Sequence, residues 1–328
     1  MSQPDKLGVG VIGLGHNGLA FCDIYAGHKR THLLAVCDRD PSRRDAAAQK
    51  YEAKGYAGYE MLEHPGLDII SIHTGDPHHA EPFISALEAG KHVFVEKPMA
   101  NNLDDLRAML AAADKSDRKI AVGHVLRFNP LFQAVKKMCQ EGILGDIFYM
   151  EGDYIHDLRY QLSMERWKVE EEKPMVGGGC HPFDLLRWFS EAEPVEVTSY
   201  SNHIVYPEMR EDATIVSIFK FGGGAVARVT ALYGPTSPMP RYYNLALYGT
   251  KGTVLRDQLC LAGLRDFMQI PIETHGHPYG PEVDDLTTAI MENRPPLVTA
   301  REGARSACAV LCAHESSKTG RPVKIPHL

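Results

Sequence analysis

The residues best suited to catalysis are a lysine and a histidine that lie far apart in the sequence. Lys97 is the centre of a Glu-Lys-Pro sequence that directly follows a short apolar run, and His181 precedes Asp184 by three residues. A partly desolvated lysine can hold or protonate a carbonyl oxygen. A histidine oriented by a carboxylate on the same helix face is suited to acid/base catalysis near neutral pH. We therefore predict that Lys97 and His181 are catalytic.

Both patterns also have a purely structural interpretation. Lys97 could be a surface lysine paired with Glu96, and His181 with Asp184 could cap a helix. These two residues alone do not decide between a catalytic and a structural role. The predicted strands, helices and turns around them give further information on the function of the protein.

A glycine-rich turn near the N-terminus predicts a dinucleotide site. The sequence Gly-Leu-Gly-His-Asn-Gly lies between a predicted strand, Leu7–Ile12, and a predicted helix. The first glycine permits a tight turn, the second lets the backbone approach a pyrophosphate, and the third allows close packing of helix on strand. The phosphates then lie at the positive helix N-terminus. The predicted cofactor-binding residues of this turn are Gly13, Gly15, His16, Asn17 and Gly18.

A carboxylate follows the glycine turn at the spacing expected for ribose recognition. Asp38 ends the second predicted strand, about 20 residues after Gly18, where it would accept hydrogen bonds from the adenosine ribose. This position favours NAD over NADP. Arg39 leaves NADP open, because a guanidinium can stack on adenine or clamp a 2′-phosphate. The alternative interpretation is a turn in which Asp40 caps the next helix.

Alternating strand and helix patterns in the first third of the chain predict a doubly wound parallel sheet. The predicted strands are short and rich in β-branched residues, as expected when both faces are covered. They are Leu7–Ile12, Leu33–Cys37, Leu67–Ile72, His92–Val95 and Lys119–Val122. The predicted helices are Asn17–His28, Pro41–Ala53, His79–Ala89 and Leu103–Ser116. We place the dinucleotide-binding domain at residues 1–124.

The pattern changes after Arg127, so residues 125–328 are predicted to form an α+β domain. Consecutive strands joined by short turns imply a large, mainly antiparallel sheet. The predicted strands are Ile147–Ile155, Val195–Val205, Ala213–Phe219, Ala225–Leu232, Tyr243–Leu247 and Thr253–Leu255, with a glycine hairpin turn before Ala225. The predicted helices are Leu131–Glu141, Pro182–Ser190, Val283–Glu292 and Glu302–Lys318.

Composition narrows the class of protein without naming a reaction. The 328 residues carry a net charge of −7 and are 44% hydrophobic. This balance gives no reason to expect a nucleic-acid partner, and no apolar run approaches the ~20 residues of a membrane span. The seven cysteines show no CxxC pair and are typical of thiols in a reducing compartment, so we expect a cytoplasmic protein. No residue spacing suggests a metal site.

Four motifs along the chain resemble the Gfo/Idh/MocA family, named for glucose–fructose oxidoreductase, inositol dehydrogenase and rhizopine catabolism. They are Val-Ile-Gly-Leu-Gly from Val11, Ala-Gly-Lys-His-Val-Phe-Val-Glu-Lys-Pro from Ala89, Arg-Phe-Asn-Pro from Arg127 and Cys-His-Pro-Phe-Asp from Cys180. The Glu-Lys-Pro sequence is the most specific of the four. The resemblance implies an N-terminal Rossmann domain and a C-terminal domain whose open sheet forms a homo-oligomer, a dimer or a tetramer.

The resemblance also implies hydride transfer between NAD(P) and a secondary alcohol or ketone of a sugar, cyclitol or related polyol. By position, Lys97 and His181 match the catalytic lysine and histidine, and the Lys97-Pro98 bond matches one that is often cis. Residues matching the cofactor site are Thr74, His79, Glu96, Lys97 and Trp167. Residues expected near the substrate are Arg127, His156, Asp157 and Asp184.

One departure from the family pattern keeps other functions open. Family dehydrogenases commonly carry an aspartate four residues before the catalytic histidine, where this chain has Gly177. Asp184 or Asp157 is a candidate substitute carboxylate. Alternatives to a dehydrogenase are a redox-neutral glycoside hydrolase or lyase with tightly held NAD, and a sugar or cofactor sensor without catalysis.

Overall fold

The computed structural model describes residues 6–164, 166–236, 243–272 and 276–328. The chain divides into two compact units, each made of two stretches of sequence. The first unit is Met1–Val125 with Pro278–Ala304, and the second is Leu126–His277 with Arg305–Leu328.

The strands and helices follow in chain order. The strands are β1 Leu7–Ile12, β2 Thr31–Cys37, β3 Lys54–Tyr56, β4 Leu67–Ile72, β5 His92–Glu96, β6 Ile120–Gly123, β7 Ile147–Ile155, β8 Pro194–Asn202, β9 Thr214–Phe221, β10 Val226–Leu232, β11 Tyr243–Gly249, β12 Gly252–Leu255, β13 Gln258–Leu261, β14 Met268–Gln269 and β15 Val323–Lys324. The helices are α1 His16–Gly27, α2 Pro41–Tyr51, α3 Ala80–Glu88, α4 Leu103–Asp114, α5 Pro130–Gln140, α6 Arg159–Met164, α7 Arg166–Glu170, α8 Pro174–Gly177, α9 Cys180–Ser190, α10 Tyr279–Met291 and α11 Ala300–Thr319.

The first unit is built on a parallel sheet in the order β3-β2-β1-β4-β5-β6. All six residues of β1 are buried, as expected for a central strand covered on both faces. The predicted doubly wound sheet is therefore confirmed. The edge strand β3 was not predicted, because its three residues are partly exposed and too few to show a periodic pattern.

The helix α10 returns the chain to the first unit, which the predicted boundary at 124/125 did not include. Val283 and Leu286 of α10 are buried in one apolar cluster with Phe21 and Cys22 of α1. The physical reason is that the apolar face of α10 packs on α1, although more than 250 residues separate the two helices in sequence.

The second unit contains a sheet in the order β14-β13-β12-β11-β7-β10-β9-β8-β15. Its pairings are antiparallel except for β10 with β7, which run parallel. The predicted, mainly antiparallel sheet is confirmed. At the glycine hairpin between β9 and β10, Gly223 and Gly224 have φ angles of 86° and 98°, a region that favours glycine.

The helix α9 packs on β7 in the second unit. A Cβ at Gly152 of β7 would lie 2.8 Å from the Pro182 side chain, so glycine permits this close approach. The packing fixes the face of α9 that carries His181. Within the described ranges, no helix is long and apolar enough to cross a bilayer.

Candidate functional site

The three glycines of the first turn have the three distinct geometries that dinucleotide binding requires. Gly13 has φ +90°, and a Cβ there would lie 2.6 Å from the His73 carbonyl. A Cβ at Gly18 would lie 1.8 Å from the Gly13 oxygen, so no larger residue allows α1 to pack this closely. At Gly15, by contrast, a Cβ would meet no protein atom within 4 Å. That open space beside the helix N-terminus is suited to a pyrophosphate, flanked by His16 and Asn17.

Asp38 joins the end of β2 to the glycine turn. Its Oδ2 accepts a hydrogen bond from the Leu14 N–H at 2.8 Å, and its Oδ1 accepts one from Asp40 N–H at 2.8 Å. Each carboxylate oxygen has a second lone pair, so Asp38 can still accept hydrogen bonds from ribose hydroxyls. Asp40 caps α2 by accepting from the Ser42 N–H, which confirms that alternative interpretation for Asp40 itself.

The His79 side chain contacts both the turn after β4 and the turn after β5. Its Nδ1 lies 2.9 Å from the Pro98 carbonyl oxygen and its Nε2 lies 3.1 Å from that of Thr74. Burial lowers the pKa of His79 to about 4, so the ring is neutral under ordinary conditions. The Thr74 hydroxyl donates to the His78 carbonyl at 2.9 Å. Because a neutral imidazole has one N–H, the His79 ring donates to one of its two neighbouring carbonyls at a time, and it lies between Thr74 and the Lys97-Pro98 turn, whose peptide bond is cis.

Lys97 follows β5 directly, at the carboxyl end of the parallel sheet. Its side chain is half-buried, whereas Glu96 is buried. The Glu96 Oε2 accepts a hydrogen bond from the Lys97 backbone N–H at 3.1 Å. Burial raises the pKa of Glu96 to about 7, and the charge of Lys97 opposes that rise. Ligands of doubly wound folds bind outside the carboxyl ends of the strands, so Lys97 lies on the functional side of its sheet.

In the second unit, the rings of two predicted histidines lie against the ring of one tyrosine, Tyr154. The buried His181 ring stacks on Tyr154, with centroids 5.8 Å apart and planes 14° apart. The His156 ring lies 5.9 Å from the same tyrosine, and His277 lies 6.0 Å from His181. The structure therefore brings the predicted residues His156 and His181 together around Tyr154, a residue that sequence reasoning missed.

Arg127 and Asp184 form a buried, bidentate ion pair. The Arg127 Nε lies 2.8 Å from Asp184 Oδ2, and a second guanidinium nitrogen lies 2.7 Å from Oδ1. The Ser306 hydroxyl also donates to Oδ1 at 2.7 Å. Both charged side chains are about 2% exposed, so these contacts join α9 to α11 and to the start of the second unit.

The remaining predicted residues lie on the short segments after β7. Asp157 is paired with Arg159 and accepts from the Tyr206 hydroxyl at 3.4 Å. The half-buried Trp167 ring has the Lys168 ammonium 4.5 Å from its centre. Gly177, where the family aspartate is absent, ends α8. In the described ranges, no group of three or more potential ligands is placed to hold a metal ion.

Sequence reasoning also missed two buried glutamates. Glu172 accepts from the Tyr233 hydroxyl at 2.6 Å and pairs with Lys168 at 3.2 Å, yet it lies in an acidic run typical of solvated turns. Glu282 of α10 is 2% exposed, and neither of its carboxyl oxygens has a hydrogen-bond partner among the described residues. Burial and the neighbouring Glu96 charge raise the pKa of Glu282 well above its usual range.

Replacing Glu282 by methionine should stabilise the protein in alkaline buffer by about 1–3 kcal/mol, since a buried polar group without a partner is costly. With the folded-state pKa above the unfolded one, stability falls as the pH rises through that interval, because the unfolded chain ionises first. Urea unfolding at several pH values should show a flatter profile for Glu282→Met. Glu88→Met, at an exposed helical position, is the control. An unchanged pH profile for Glu282→Met would contradict the assignment.

The two units are a doubly wound parallel-sheet unit, with a glycine turn of the kind that binds dinucleotides, and an α+β unit with a large, mainly antiparallel sheet. Comparison with known proteins agrees. The profile described as "Oxidoreductase family, NAD-binding Rossmann fold" matches residues 7–124, and that of the "GFO/IDH/MocA C-terminal domain" matches residues 132–255. The chain belongs to the Gfo/Idh/MocA family.

Known relatives differ in how much of their length is matched. A 1-carboxy-3-chloro-3,4-dihydroxycyclohexa-1,5-diene dehydrogenase of Comamonas testosteroni is 31% identical over 68% of this chain and 57% of its own length. A glycosyl hydrolase family 109 protein of Bacteroides fragilis is 32% identical over 51% of this chain and 39% of its own. This chain therefore spans little more than half of the first relative and less than half of the second.

Other similarities extend over almost the whole chain. The scyllo-inositol 2-dehydrogenase (NAD(+)) of Bacillus subtilis is 25% identical over 96% of this chain and 95% of its own length. The crystal structure of myo-inositol 2-dehydrogenase from Lactobacillus plantarum matches with a TM-score of 0.85 and 22% identity, covering 98% of this chain and 100% of that one. At that identity the structural match supports the fold alone.

Proposed function

We propose that the protein is an NAD(P)-dependent oxidoreductase that moves a hydride between nicotinamide and a secondary alcohol or ketone of a sugar, cyclitol or related polyol. The observation that carries this proposal is the first unit's sheet: β1 is followed by the turn with the three glycine geometries, and β5 ends at Glu96 and is followed directly by Lys97. The inositol dehydrogenase relative, matched along nearly its full length, supports a cyclitol or sugar as substrate.

In the proposed oxidation, His181 and Lys97 both act on the substrate hydroxyl, each in a different role. When bound, the nicotinamide supplies the hydride acceptor. His181 takes the hydroxyl proton, and its stacking on Tyr154 holds the imidazole plane. Lys97 stabilises the oxygen as negative charge develops there. Lys97 belongs to the first unit and His181 to the second, so their action on one substrate is part of the proposal.

The other predicted side chains have supporting roles in the proposal. His156 and Asp157 are proposed substrate contacts, and Trp167 with Thr74 and His79 is proposed to line the cofactor. Arg127 and Asp184 contact one another, so we propose that they act on the substrate region through α9.

A screen of cyclitols, sugars and sugar derivatives with NAD and with NADP tests this function. The absorbance of reduced nicotinamide should change with at least one polyol. Absence of turnover with every polyol and both nucleotides, together with absence of nucleotide binding, would contradict the proposal.

Asp38→Ala should weaken NAD binding by about tenfold or more, because it removes charge-assisted hydrogen bonds to the ribose. NADP should be affected less, since the carboxylate repels a 2′-phosphate. Titration calorimetry with both nucleotides measures the two affinities, and Arg39→Ala is the matched neighbour, expected to weaken NADP more than NAD. Equal losses for both nucleotides in Asp38→Ala would remove Asp38 from ribose recognition.

A second candidate function is a redox-neutral glycosidase that oxidises its substrate transiently. The similarity to a glycosyl hydrolase family 109 protein favours it, although that match covers half of this chain. Such an enzyme would retain nucleotide through dialysis and cleave a glycoside without a net absorbance change. A dehydrogenase would release reduced nucleotide in proportion to product.

We also propose a homo-oligomer formed through the open face of the second sheet. Tyr200 and Ile218 are exposed there, 76% and 42%, beside the ionic group of Arg228 with Glu151 and Asp153. Light scattering after size exclusion tests this assembly with Tyr200→Glu. We further propose a cytoplasmic location. All the cysteines lie in described ranges, and each of them is a free thiol.

A further inference from the structure

A chain of buried polar side chains lies behind Lys97 in the core of the first unit. It contains Tyr25 of α1, Ser71 of β4, His73 after β4 and Glu96 at the end of β5. Tyr25 and Ser71 are fully buried, and His73 and Glu96 are nearly so. The His73 ring is packed between Phe21, with centroids 4.3 Å apart, and Phe94, at 5.6 Å.

The hydrogen bonds of this chain fix the direction of its protons. The Tyr25 hydroxyl has Ser71 as its hydrogen-bond partner among the described residues, so the phenol donates to Ser71 Oγ at 3.1 Å. Burial raises the pKa of Tyr25, so the phenol keeps that proton. The Ser71 hydroxyl then donates its own proton to His73 Nε2, 2.7 Å away. Because Nε2 is the acceptor, the ring proton of neutral His73 lies on Nδ1.

That Nδ1–H faces the carboxyl group beside Lys97. His73 Nδ1 lies 3.8 Å from Glu96 Oε1, which is longer than a hydrogen bond, and Nδ1 has no hydrogen-bond partner among the described residues, so the interaction is that of a dipole with a nearby charge. Glu96 Oε2 accepts from the Lys97 backbone N–H. Burial lowers the pKa of His73 to about 3, so the ring acts as a neutral donor and not as a cation. A donor dipole aimed at a carboxyl favours its ionised form.

We propose that Tyr25, Ser71 and His73 are positioning residues, which hold the His73 Nδ1–H toward Glu96 and thereby favour the ionised form of the Glu96 carboxyl and its orientation behind Lys97. This inference deepens the proposed function and rests on it for the role of Lys97 alone. The tautomer of His73 and the ionisation of Glu96 do not depend on which substrate is used.

Other charged or titratable groups also act on Glu96. Lys97 favours the ionised carboxylate, whereas Asp76 after β4 disfavours it. Glu282 faces it from α10, and the Glu96 charge opposes the ionisation of Glu282, so we expect at most one negative charge on the two carboxyls near neutrality. On β6, Gly123 lies against Glu96, and the buried His124 follows it. The His73 contribution must therefore be measured against this background, with one side chain changed at a time.

Selective labelling of histidine ring nitrogens tests the tautomer directly. The His73 signal, assigned by its loss in His73→Phe, should show the pattern of an Nδ1–H ring. Ser71→Ala removes the donor to Nε2 and should move the signal toward the Nε2–H form, and Tyr25→Phe should produce a mixture. An Nε2–H ring in the unsubstituted protein would overturn the proposal.

Carboxyl-carbon labelling of glutamate tests the effect on Glu96, with Glu96→Gln used to assign the signal. His73→Phe keeps the aromatic packing and removes the donor, so the Glu96 titration midpoint should rise by about one pH unit. An unchanged midpoint would overturn the proposal. Phe21→Leu is the control, because it alters the ring packing and leaves the donor in place.

Kinetics with an active polyol test the link to Lys97. His73→Phe should lower kcat by about fivefold at neutral pH, recover it in alkaline buffer, and leave KM for the nucleotide unchanged, as a raised Glu96 midpoint of about one unit requires. A loss independent of pH would overturn the positioning role. If the unsubstituted protein turns over no polyol, the proposed function fails, and the two labelling measurements still decide the inference.

Discussion

Lys97→Ala should lower turnover of an active polyol by about two orders of magnitude or more, as is typical for loss of an acid/base or electrostatic group. Nucleotide binding should persist, because the three glycine geometries and Asp38 do not depend on the lysine side chain. The loss should appear in kcat and in kcat/KM alike, since the ammonium acts most strongly on the charge that develops during hydride transfer. Steady-state kinetics and nucleotide titration measure the two effects separately.

Two variants sharpen the interpretation of Lys97→Ala. Lys115→Ala removes an exposed lysine of the same unit and should leave kcat unchanged. Lys97→Arg keeps the charge but replaces a compact ammonium by a planar fork, so it should recover only part of the activity. Turnover equal to that of the unsubstituted protein in Lys97→Ala would remove this residue from the mechanism.

Local sequence patterns predicted the elements that carry Lys97 and the glycine turn. The strands β1 and β4 have the predicted limits, Leu7–Ile12 and Leu67–Ile72, and β5 extends one residue beyond its predicted end, to Glu96. Buried parallel strands are short, continuous apolar runs, and a turn follows each one, so both their existence and their ends are visible in the sequence. The glycine spacing likewise constrains local backbone geometry, which the φ of Gly13 reflects.

Contacts between distant segments could not be predicted in the same way. The helical spacing predicted Asp184 as a neighbour of His181. It gave no sign that the Asp184 oxygens also accept hydrogen bonds from Arg127 and Ser306, which are 57 and 122 residues distant. Glu282 belongs to the amphipathic helix α10. The apolar face of α10 is buried against α1, which lies at the other end of the sequence. Periodicity shows that a face is buried, but it does not show against which segment.

The Arg127–Asp184 pair carries the largest expected effect on stability. Asp184→Asn should lower the free energy of unfolding by about 3–5 kcal/mol, because it leaves a guanidinium buried without its counter-charge. Ser306 would also lose a charged acceptor. Urea unfolding should show a lower midpoint concentration for the second unit. The slope of the free energy of unfolding against urea concentration should change little, since the surface exposed on unfolding stays the same.

A double replacement distinguishes a framework pair from two substrate contacts. Arg127→Met combined with Asp184→Leu removes both charges and should recover much of the stability lost in Asp184→Asn, as buried ion pairs are often replaceable by apolar side chains. Asp157→Asn, at a partly exposed ion pair, is the matched control and should cost less than about 1 kcal/mol. If Asp184→Asn instead raises KM for the polyol at unchanged stability, the carboxylate acts on the substrate. The bidentate geometry with Arg127, at 2.7 and 2.8 Å and nearly full burial, leads us to expect the loss of stability.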